Sequence, residues 1–470
     1  VFPSHPTYIC CGHKFYDVLV IGGGPGGYLC AERAAQGGFH TAIIEKANLG
    51  GTCLNEGCVP TKSLLYCAKQ YSSALHGKDY GFTAADVTYD HAAVIARKDR
   101  VVKKLVAGVG ASMKGNKIDV YKGEGALKGR NPEKGYDVEV AGETITAERI
   151  VLATGSVVAV PPIPGVKEGI ASGFVVTSRE FLNMKELPKE MVAIGGGVIG
   201  LEMACYLATV GVKVTVVEMM PKIAGPTDAD ICDNLMKTYQ KDYGMKFELS
   251  AKVKEVKTDC VVYEDKDGKT VEAKCDKVLL AAGRRANIAG LNVEALGIET
   301  NRGAVVTDRY MLTNVPNIYA VGDCNGKLML AHTAYREAEV AVNHMLGLKD
   351  EMNYDTIPSV IYTNPEVASV GLSKKAAEEK GLKVTEVKVP MQMSGRYVAE
   401  TLRGDGFAKI VYDTEHNRIV GICMVGNYAS EIIVSAVMML DTELPLSQLK
   451  KIVFPHPTVG EVIREGLFML

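Results

Sequence analysis

Apolar residues along this chain gather into short runs separated by glycine turns and by stripes at helical spacing. The stretch "YDVLVIGGGPGGYLCAERAAQGGFHTAIIE" reads as a strand, a glycine turn, a helix and a second strand. Its apolar run Val18 to Ile21 leads into Gly22, Gly24 and Gly27, and its second strand ends at Glu45. The stretch "EMVAIGGGVIGLEMACYLATVGVKVTVVE" repeats the order, with Val192 to Ile194, then Gly195, Gly197 and Gly200, a helix, and a strand ending at Glu218. The interval from first glycine to closing glutamate is 23 residues in both copies. A lone glycine triplet is weak evidence. A strand before it, a helix after it and an acid about 20 residues on together define a dinucleotide-binding unit. The first glycine permits the tight turn, the second lets backbone approach a pyrophosphate, and the third lets helix and strand pack closely. The helix N-terminus then faces the phosphate charge.

Two further buried strands end in similar turns, "IVLATGS" (Ile150 to Ser156) and "VLLAAGRR" (Val278 to Arg285). Such turns bring backbone close to a cofactor. From first glycine to this second turn the first copy runs 133 residues and the second 88. The added length holds a cysteine pair, so the first copy is expected to carry the chemistry and the second an exchangeable nucleotide. "NIYAVGDC" is another apolar strand, and Asp323 at its end is placed to bind a polyol hydroxyl. From about Asp355 strand-like runs such as "FAKIVYD" alternate with helix-like ones such as "ASEIIVSAVMML", with no third glycine fingerprint. This predicts a separate α+β domain.

Charge and composition narrow the classes. Lysine plus arginine number 53 and aspartate plus glutamate 55, a net charge of −2, so no basic face for nucleic acid is expected. No apolar run reaches the length of a membrane span, and "VFPSHPTYICCGHK" lacks the apolar core of a secretion signal. The expected location is cytoplasmic, or the mitochondrial matrix for a eukaryotic source. Most of the 12 cysteines sit in apolar text, as Cys205 and Cys423 do, and read as buried thiols of a reducing compartment. Cys10 and Cys11 read as incidental. Glu45 and Glu218 can accept hydrogen bonds from ribose hydroxyls and would repel a 2′-phosphate. The "MMPKIAG" after Glu218 offers no arginine to receive one. Both nucleotides are therefore expected to be unphosphorylated at the ribose, one FAD-like and one NAD-like.

The remaining chemistry lies in "GGTCLNEGCVPTK", Gly50 to Lys62. Cys53 and Cys58 stand five positions apart, which on a regular helix is ~8.6 Å. A disulfide needs Cα atoms within ~7 Å. If the sulfurs pair, the backbone between them cannot be regular. A structural bridge, half a metal site and a working redox pair all remain open at this point. No Cys/His partner lies at zinc spacing, so no metal is expected. Pro60 is expected to limit helix continuity just beyond Cys58. "FPHPTVGEVIRE" supplies a candidate base, His456, stiffened by Pro455 and Pro457, with Glu461 at the start of a helix-like run. A carboxylate on one imidazole nitrogen fixes the tautomer and leaves the other free to take a proton.

Taken in order, "GGGPGGY", "GGTCLNEGCVPTK", "ATGS", "GGGVIGLE", "AAGRR", "YAVGD", "LAH" and "HPTVGE" give a signature that nearly spans the chain. The chain resembles the FAD-dependent pyridine nucleotide–disulfide oxidoreductases, most closely the members that act on dihydrolipoamide. The resemblance implies an α/β fold with two nested Rossmann-like domains: FAD-binding over 15–157 after an extension at 1–14, and NAD-binding over 158–284. A central domain over 285–354 and a dimerisation domain over 355–470 would follow. It implies a homodimer with one tightly held FAD per subunit, NAD as electron acceptor, and dihydrolipoamide as donor. The donor would be carried on lipoyl domains of 2-oxoacid dehydrogenase complexes or on the glycine cleavage carrier.

By the same resemblance Cys53 exchanges with substrate, Cys58 faces the flavin, and the site favours the attacking thiolate. Lys62 lies near the flavin's reactive edge with Glu202 as its carboxylate partner, and His456 with Glu461 is the base, reaching the disulfide of the other chain. FAD would be held by Gly22, Gly24, Gly27, Glu45, Lys46, Gly51, Thr52, Lys62, Gly125, Thr154, Gly155, Ser156, Asp323, Met329, Leu330, Ala331 and His332. NAD would be held by Gly195, Gly197, Gly200, Glu202, Glu218, Val253 and Gly283. Phe454 and Ala338 depart from the histidine and glycine common in those relatives. An NADPH-dependent glutathione-type reductase would keep the disulfide but wants arginines after the second glycine unit. A mercuric reductase wants a C-terminal cysteine pair, which "REGLFML" lacks. A redox-sensing flavoprotein without turnover predicts loss of Cys53, Cys58, His456 or Glu461, and all are present.

Overall fold

Strand His13–Ile21 is the axis of the first sheet, and its residues Val18, Leu19 and Val20 are fully buried. A strand buried on both faces reads as a continuous apolar run, which is why Val18 to Ile21 does not alternate. Burying each such side chain contributes roughly 1.5–3 kcal/mol. The structure, a computed structural model, describes residues 9–10 and 13–470. The side chains of Cys10 and Cys11, in the N-terminal extension, lie outside the described residues.

The chain divides into two compact units. The first comprises the residues up to 63 with 93–159 and 283–353. Its parallel strands run in the order Asp119–Lys122, Thr41–Glu45, His13–Ile21, Glu143–Leu152, with Ile318–Ala320 beside the last. Tyr136–Val140 and Gly125–Arg130 extend the sheet in antiparallel fashion. Helix Pro25–Gln36 packs against helix Ala331–Met345.

The second unit comprises 64–92, 160–282 and 354–470. Its five-stranded parallel sheet has the order Lys246–Leu249, Lys213–Glu218, Glu190–Ile194, Lys277–Leu280, Val175–Val176. In each unit the strand before the glycine turn, His13–Ile21 or Glu190–Ile194, lies between the strand ending in the closing glutamate and a later one, Glu143–Leu152 or Lys277–Leu280. The strand order reverses there, and that switch point is where open α/β sheets bind ligands. From Ser359 onward the sheet is antiparallel, in the order Ser359–Ile361, Val367–Gly371, Arg418–Val425, Phe407–Asp413, Val384–Pro390. Helices Ala429–Thr442 and Glu461–Met469 pack on it around Ile410, Ile422, Met424, Ile433, Val462 and Leu467. The fold class is the α/β one expected. Lys409, almost buried, holds the unit together from within: its ammonium lies 3.0–3.5 Å from Asp228, Asp230 and Glu386.

Candidate active site

The two glycine turns are nearly congruent. Gly22 has φ +109° and Gly195 φ +108°, values that strain any other residue, and a Cβ on either would fall 2.2 Å from a carbonyl oxygen, of Ala153 or Ala281. A Cβ on Gly27 would meet the Gly22 oxygen at 1.8 Å, and one on Gly200 the Gly195 oxygen at 2.3 Å. Each closing glutamate is fixed by two backbone amides. Glu45 accepts from Gly23 (2.7 Å) and Ala47 (2.6 Å). Glu218 accepts from Gly196 and Met220, both at 2.7 Å. Both carboxylates therefore keep lone pairs pointed beyond the strand end for a ribose.

The copies differ at the second glycine. A Cβ on Gly51 (φ +57°) would lie 2.5 Å from the Gly24 Cα, so two bare backbones face each other there. Nothing stands within 4 Å of a Cβ on Gly197. The first turn is a walled cradle and the second is open. The walled cradle suits a pyrophosphate, because backbone faces backbone at Gly24 and Gly51 and the N-terminus of helix Pro25–Gln36, without a side-chain cap, abuts it. Lys46 leaves the cradle's rim to pair with Glu124 at 3.2 Å.

Helix Gly51–Glu56 forms the wall and carries Thr52 and Cys53. It ends at Gly57 (φ −146°, ψ −112°), and a new helix starts at Cys58 and runs to Leu75. The expected irregularity is therefore a one-residue break. Gly57 is required because a Cβ there would press on the Thr52 oxygen at 2.9 Å. Thr61 closes the break by donating to the Gly57 carbonyl at 2.7 Å. Pro60 does not limit the helix beyond Cys58. It sits in the first turn of an 18-residue helix, where a missing amide proton costs nothing.

The Cys53 and Cys58 sulfurs face each other within hydrogen-bond reach. That contact first, and burial second, push the Cys53 thiol well above its ordinary value, against a smaller downward pull from Lys62. A raised Cys53 thiol gives up its proton only to a base.

Around the far end of the first sheet, Ser156 donates to Asp323, and Arg284 holds Ser156 through its hydroxyl (2.8 Å) and carbonyl (2.9 Å). Thr154 donates to the Asn287 carbonyl, and Gly155 takes φ +71°. Asp323 lies in the short turn Gly322–Asn325. Met329 and Leu330 lead into helix Ala331–Met345, whose first turn has no side-chain cap. Gly125 has no room for a side chain, a Cβ there lying 3.0 Å from Ile21. Val253 lies on strand Lys252–Val256 of the second unit, and Gly283 (φ +106°), three residues after strand Lys277–Leu280, begins the 283–353 stretch of the first unit. Glu202 is only 3% exposed and accepts the Tyr362 amide at 2.9 Å.

His456 and Glu461 are together. The imidazole Nδ1 lies 2.8 Å from one Glu461 oxygen, and the Thr458 amide donates to the other at 2.8 Å. The Thr458 amide, more than the imidazole, holds the Glu461 carboxyl below its usual range. A carboxylate only accepts, so Nδ1 carries the proton and Nε2 is free to act as base. The His456 side chain is 78% exposed against 14% for Glu461: the orienting group is packed and the reactive one is presented. Sequence reasoning did not anticipate Arg284, though it lies in the "AAGRR" turn. It also did not anticipate Glu337, a carboxylate on an otherwise apolar helix face.

Paired cysteines beside a walled dinucleotide cradle, a second open cradle and an oriented imidazole define a flavin- and nucleotide-linked disulfide oxidoreductase. The chain belongs to that family: residues 16–338 match the pyridine nucleotide–disulphide oxidoreductases, and 357–467 match their dimerisation domain. It is similar to the dihydrolipoyl dehydrogenase of Chlamydia muridarum, 38% identical over 97% of each chain. The dihydrolipoyl dehydrogenase of Acholeplasma laidlawii is 45% identical over 73% of this chain and 99% of its own. Among solved structures, the HOCl-induced flavoprotein disulfide reductase RclA of Escherichia coli superposes with a TM-score of 0.83 at 29% identity, covering 97% of this chain and all of that one. LpdA of Mycobacterium tuberculosis superposes with a TM-score of 0.86 at 25% identity, covering 96% and 99%. Among the described residues no helix is long and apolar enough to cross a membrane.

Proposed function

We propose that this chain is an NAD-linked dihydrolipoamide dehydrogenase. The observation that carries the reading is the Cys53–Cys58 pair on either side of a helix break, with Cys53 on the helix that walls the first glycine cradle. Relatives at 35–45% identity bear that name. In this reading residues 15–157 and 285–354 hold one FAD. Gly22, Gly24, Gly27, Gly51 and Thr52 hold its pyrophosphate, and Glu45 and Lys46 lie at its adenosine. Thr154 to Ser156, Asp323 and Met329 to His332 hold its ribityl and flavin parts. When bound, FAD carries two electrons from the dithiol to NAD. NAD occupies the open cradle of residues 158–284, with Glu218 on its ribose hydroxyls. Lys62 supplies a positive charge near the flavin.

The thiol chemistry follows from the residues. In the oxidised enzyme Cys53 and Cys58 are joined. His456 of the partner subunit, oriented by its carboxylate, takes the proton of one substrate thiol. The resulting thiolate attacks the Cys53 sulfur, the Cys53–Cys58 bond breaks, and Cys58 leaves as thiolate. The second substrate sulfur then displaces Cys53 and closes the substrate disulfide, and its proton passes to Cys53. The two protons finish on His456 and Cys53, beside a Cys58 thiolate. The substrate would be presented by lipoyl domains of 2-oxoacid dehydrogenase complexes or by the glycine cleavage carrier.

Steady-state assay of the purified holoenzyme tests this. Dihydrolipoamide should reduce NAD, and Cys58→Ser should abolish that turnover. Rapid reduction of glutathione disulfide by NADPH, with no dihydrolipoamide oxidation, would overturn the reading in favour of a glutathione-type reductase.

A further inference from the structure

Helix Ala331–Met345 buries Ala334, Ala338 and Ala341 on its inner face, and Glu337 lies among them with none of its surface exposed. A buried carboxylate is costly unless its oxygens are hydrogen-bonded. Here one oxygen, Oε2, accepts from the Gly322 amide at 2.6 Å and from the Asn325 amide group at 2.9 Å. Asn325 is itself buried, and its own oxygen accepts the Lys327 backbone amide at 3.0 Å. Gly322 has φ +77°, and a Cβ there would press on Ala334, one turn before Glu337. The turn that carries Asp323 is thus clamped to the helix whose first residues are Ala331 and His332. The clamp continues through Asn325 into the strand of chain that leads to Met329.

We infer that Glu337, with Asn325, is a positioning residue for the flavin nucleotide: it fixes the spacing between Asp323 and the start of helix Ala331–Met345. This rests on the FAD reading above. A single carboxylate oxygen links the two segments assigned to the ribityl chain and the flavin ring.

The test compares Glu337→Ala, Glu337→Gln and Asn325→Ala with the parent holoenzyme. It reads the FAD dissociation constant by flavin fluorescence, and the unfolding midpoint with and without FAD. Glu337→Ala should weaken FAD binding about 10- to 100-fold, the effect of losing hydrogen bonds to a charged group. Glu337→Gln, which keeps an oxygen for both donors, should restore most of it. The gain in unfolding midpoint on adding FAD should shrink in Glu337→Ala and Asn325→Ala, because linkage ties that gain to affinity. A purely structural role would lower both midpoints equally and leave FAD affinity unchanged, and that result overturns the inference. Should Glu337→Ala fail to fold, Asn325→Ala and Glu337→Gln decide it by the same readouts. A parent protein that binds no FAD at all would instead defeat the cofactor reading on which the inference stands.

Discussion

Replacing Glu461 by glutamine tests the base through its tautomer. The carboxylate serves two donors with two oxygens, His456 Nδ1–H and the Thr458 amide, each at 2.8 Å. A glutamine side chain has only one oxygen. If that oxygen stays on the Thr458 amide, the NH2 group faces Nδ1 and donates to it. Nδ1 then becomes the acceptor, the ring proton moves to Nε2, and the nitrogen that should take the substrate proton is blocked. The opposite flip sets an NH2 donor against the Thr458 N–H and strands a backbone amide, which costs about 1–3 kcal/mol. Two unit charges ~4 Å apart interact by about 1 kcal/mol in water and about 4 kcal/mol at an effective dielectric of 20. Loss of the imidazolium's counter-charge therefore removes about 5-fold to 1000-fold in rate. General-base catalysis as a whole contributes about 10²- to 10⁴-fold, which is the ceiling for a residue acting through His456. We expect kcat for dihydrolipoamide oxidation to fall about 100- to 1000-fold, with KM little changed. Reduction of artificial acceptors by NADH, which uses no thiol base, should stay within about twofold of the parent. A Glu461→Gln enzyme with near-parental dihydrolipoamide turnover would refute the assignment of His456 as the base.

Three further outcomes follow from the same geometry. Gly51→Ala should weaken FAD retention, since φ +57° costs a non-glycine residue about 1–3 kcal/mol and the new Cβ would stand 2.5 Å from Gly24; a normal flavin-to-protein absorbance ratio would count against the walled cradle. Lys409→Met leaves Asp228 and Glu386 without their shared cation and should destabilise the fold by about 3–5 kcal/mol, read from the urea midpoint. His91 accepts from Tyr206 at Nδ1 and donates to the Met184 carbonyl, and burial lowers its pKa below 6.5. Below that value the unfolded chain binds more protons than the folded one, so stability should fall as pH drops from about 6.5, and His91→Gln should flatten that slope in urea titrations.

The glycine turns were legible in sequence because their chemistry is local. Backbone strain, a following helix and a closing acid all fall within 23 residues, and Gly22 and Gly195 take the conformations their spacing requires. The His456–Glu461 pair was legible for the same reason, five residues apart at a helix start. What spacing could not show are contacts that topology brings together. Arg284 reaches Ser156 only because strands Arg284–Ala286 and Ser156–Val158 pair. Glu337 reaches Gly322 only because a helix folds back on the turn before it, although its charge on an apolar stripe was a visible signal. Pro60 misled because proline is read as a breaker, and the first turn of a helix is where it breaks nothing.

The division of labour between the two cradles turns on one contact. Gly22 and Gly195, Gly27 and Gly200, Glu45 and Glu218 are matched in geometry, so neither turn alone distinguishes a retained cofactor from an exchanged one. Gly51 against Gly24 does distinguish them, because it closes the first cradle with backbone where Gly197 meets open space. A nucleotide in the closed cradle is held from two sides and loses more water, which slows its release. One in the open cradle is held from one side and can turn over. Cys53 stands two residues beyond Gly51 on the closing helix. The backbone that would retain the flavin nucleotide is therefore the same backbone that sets the position of the reactive sulfur. A shift in that helix should alter cofactor retention and thiol reactivity together rather than separately.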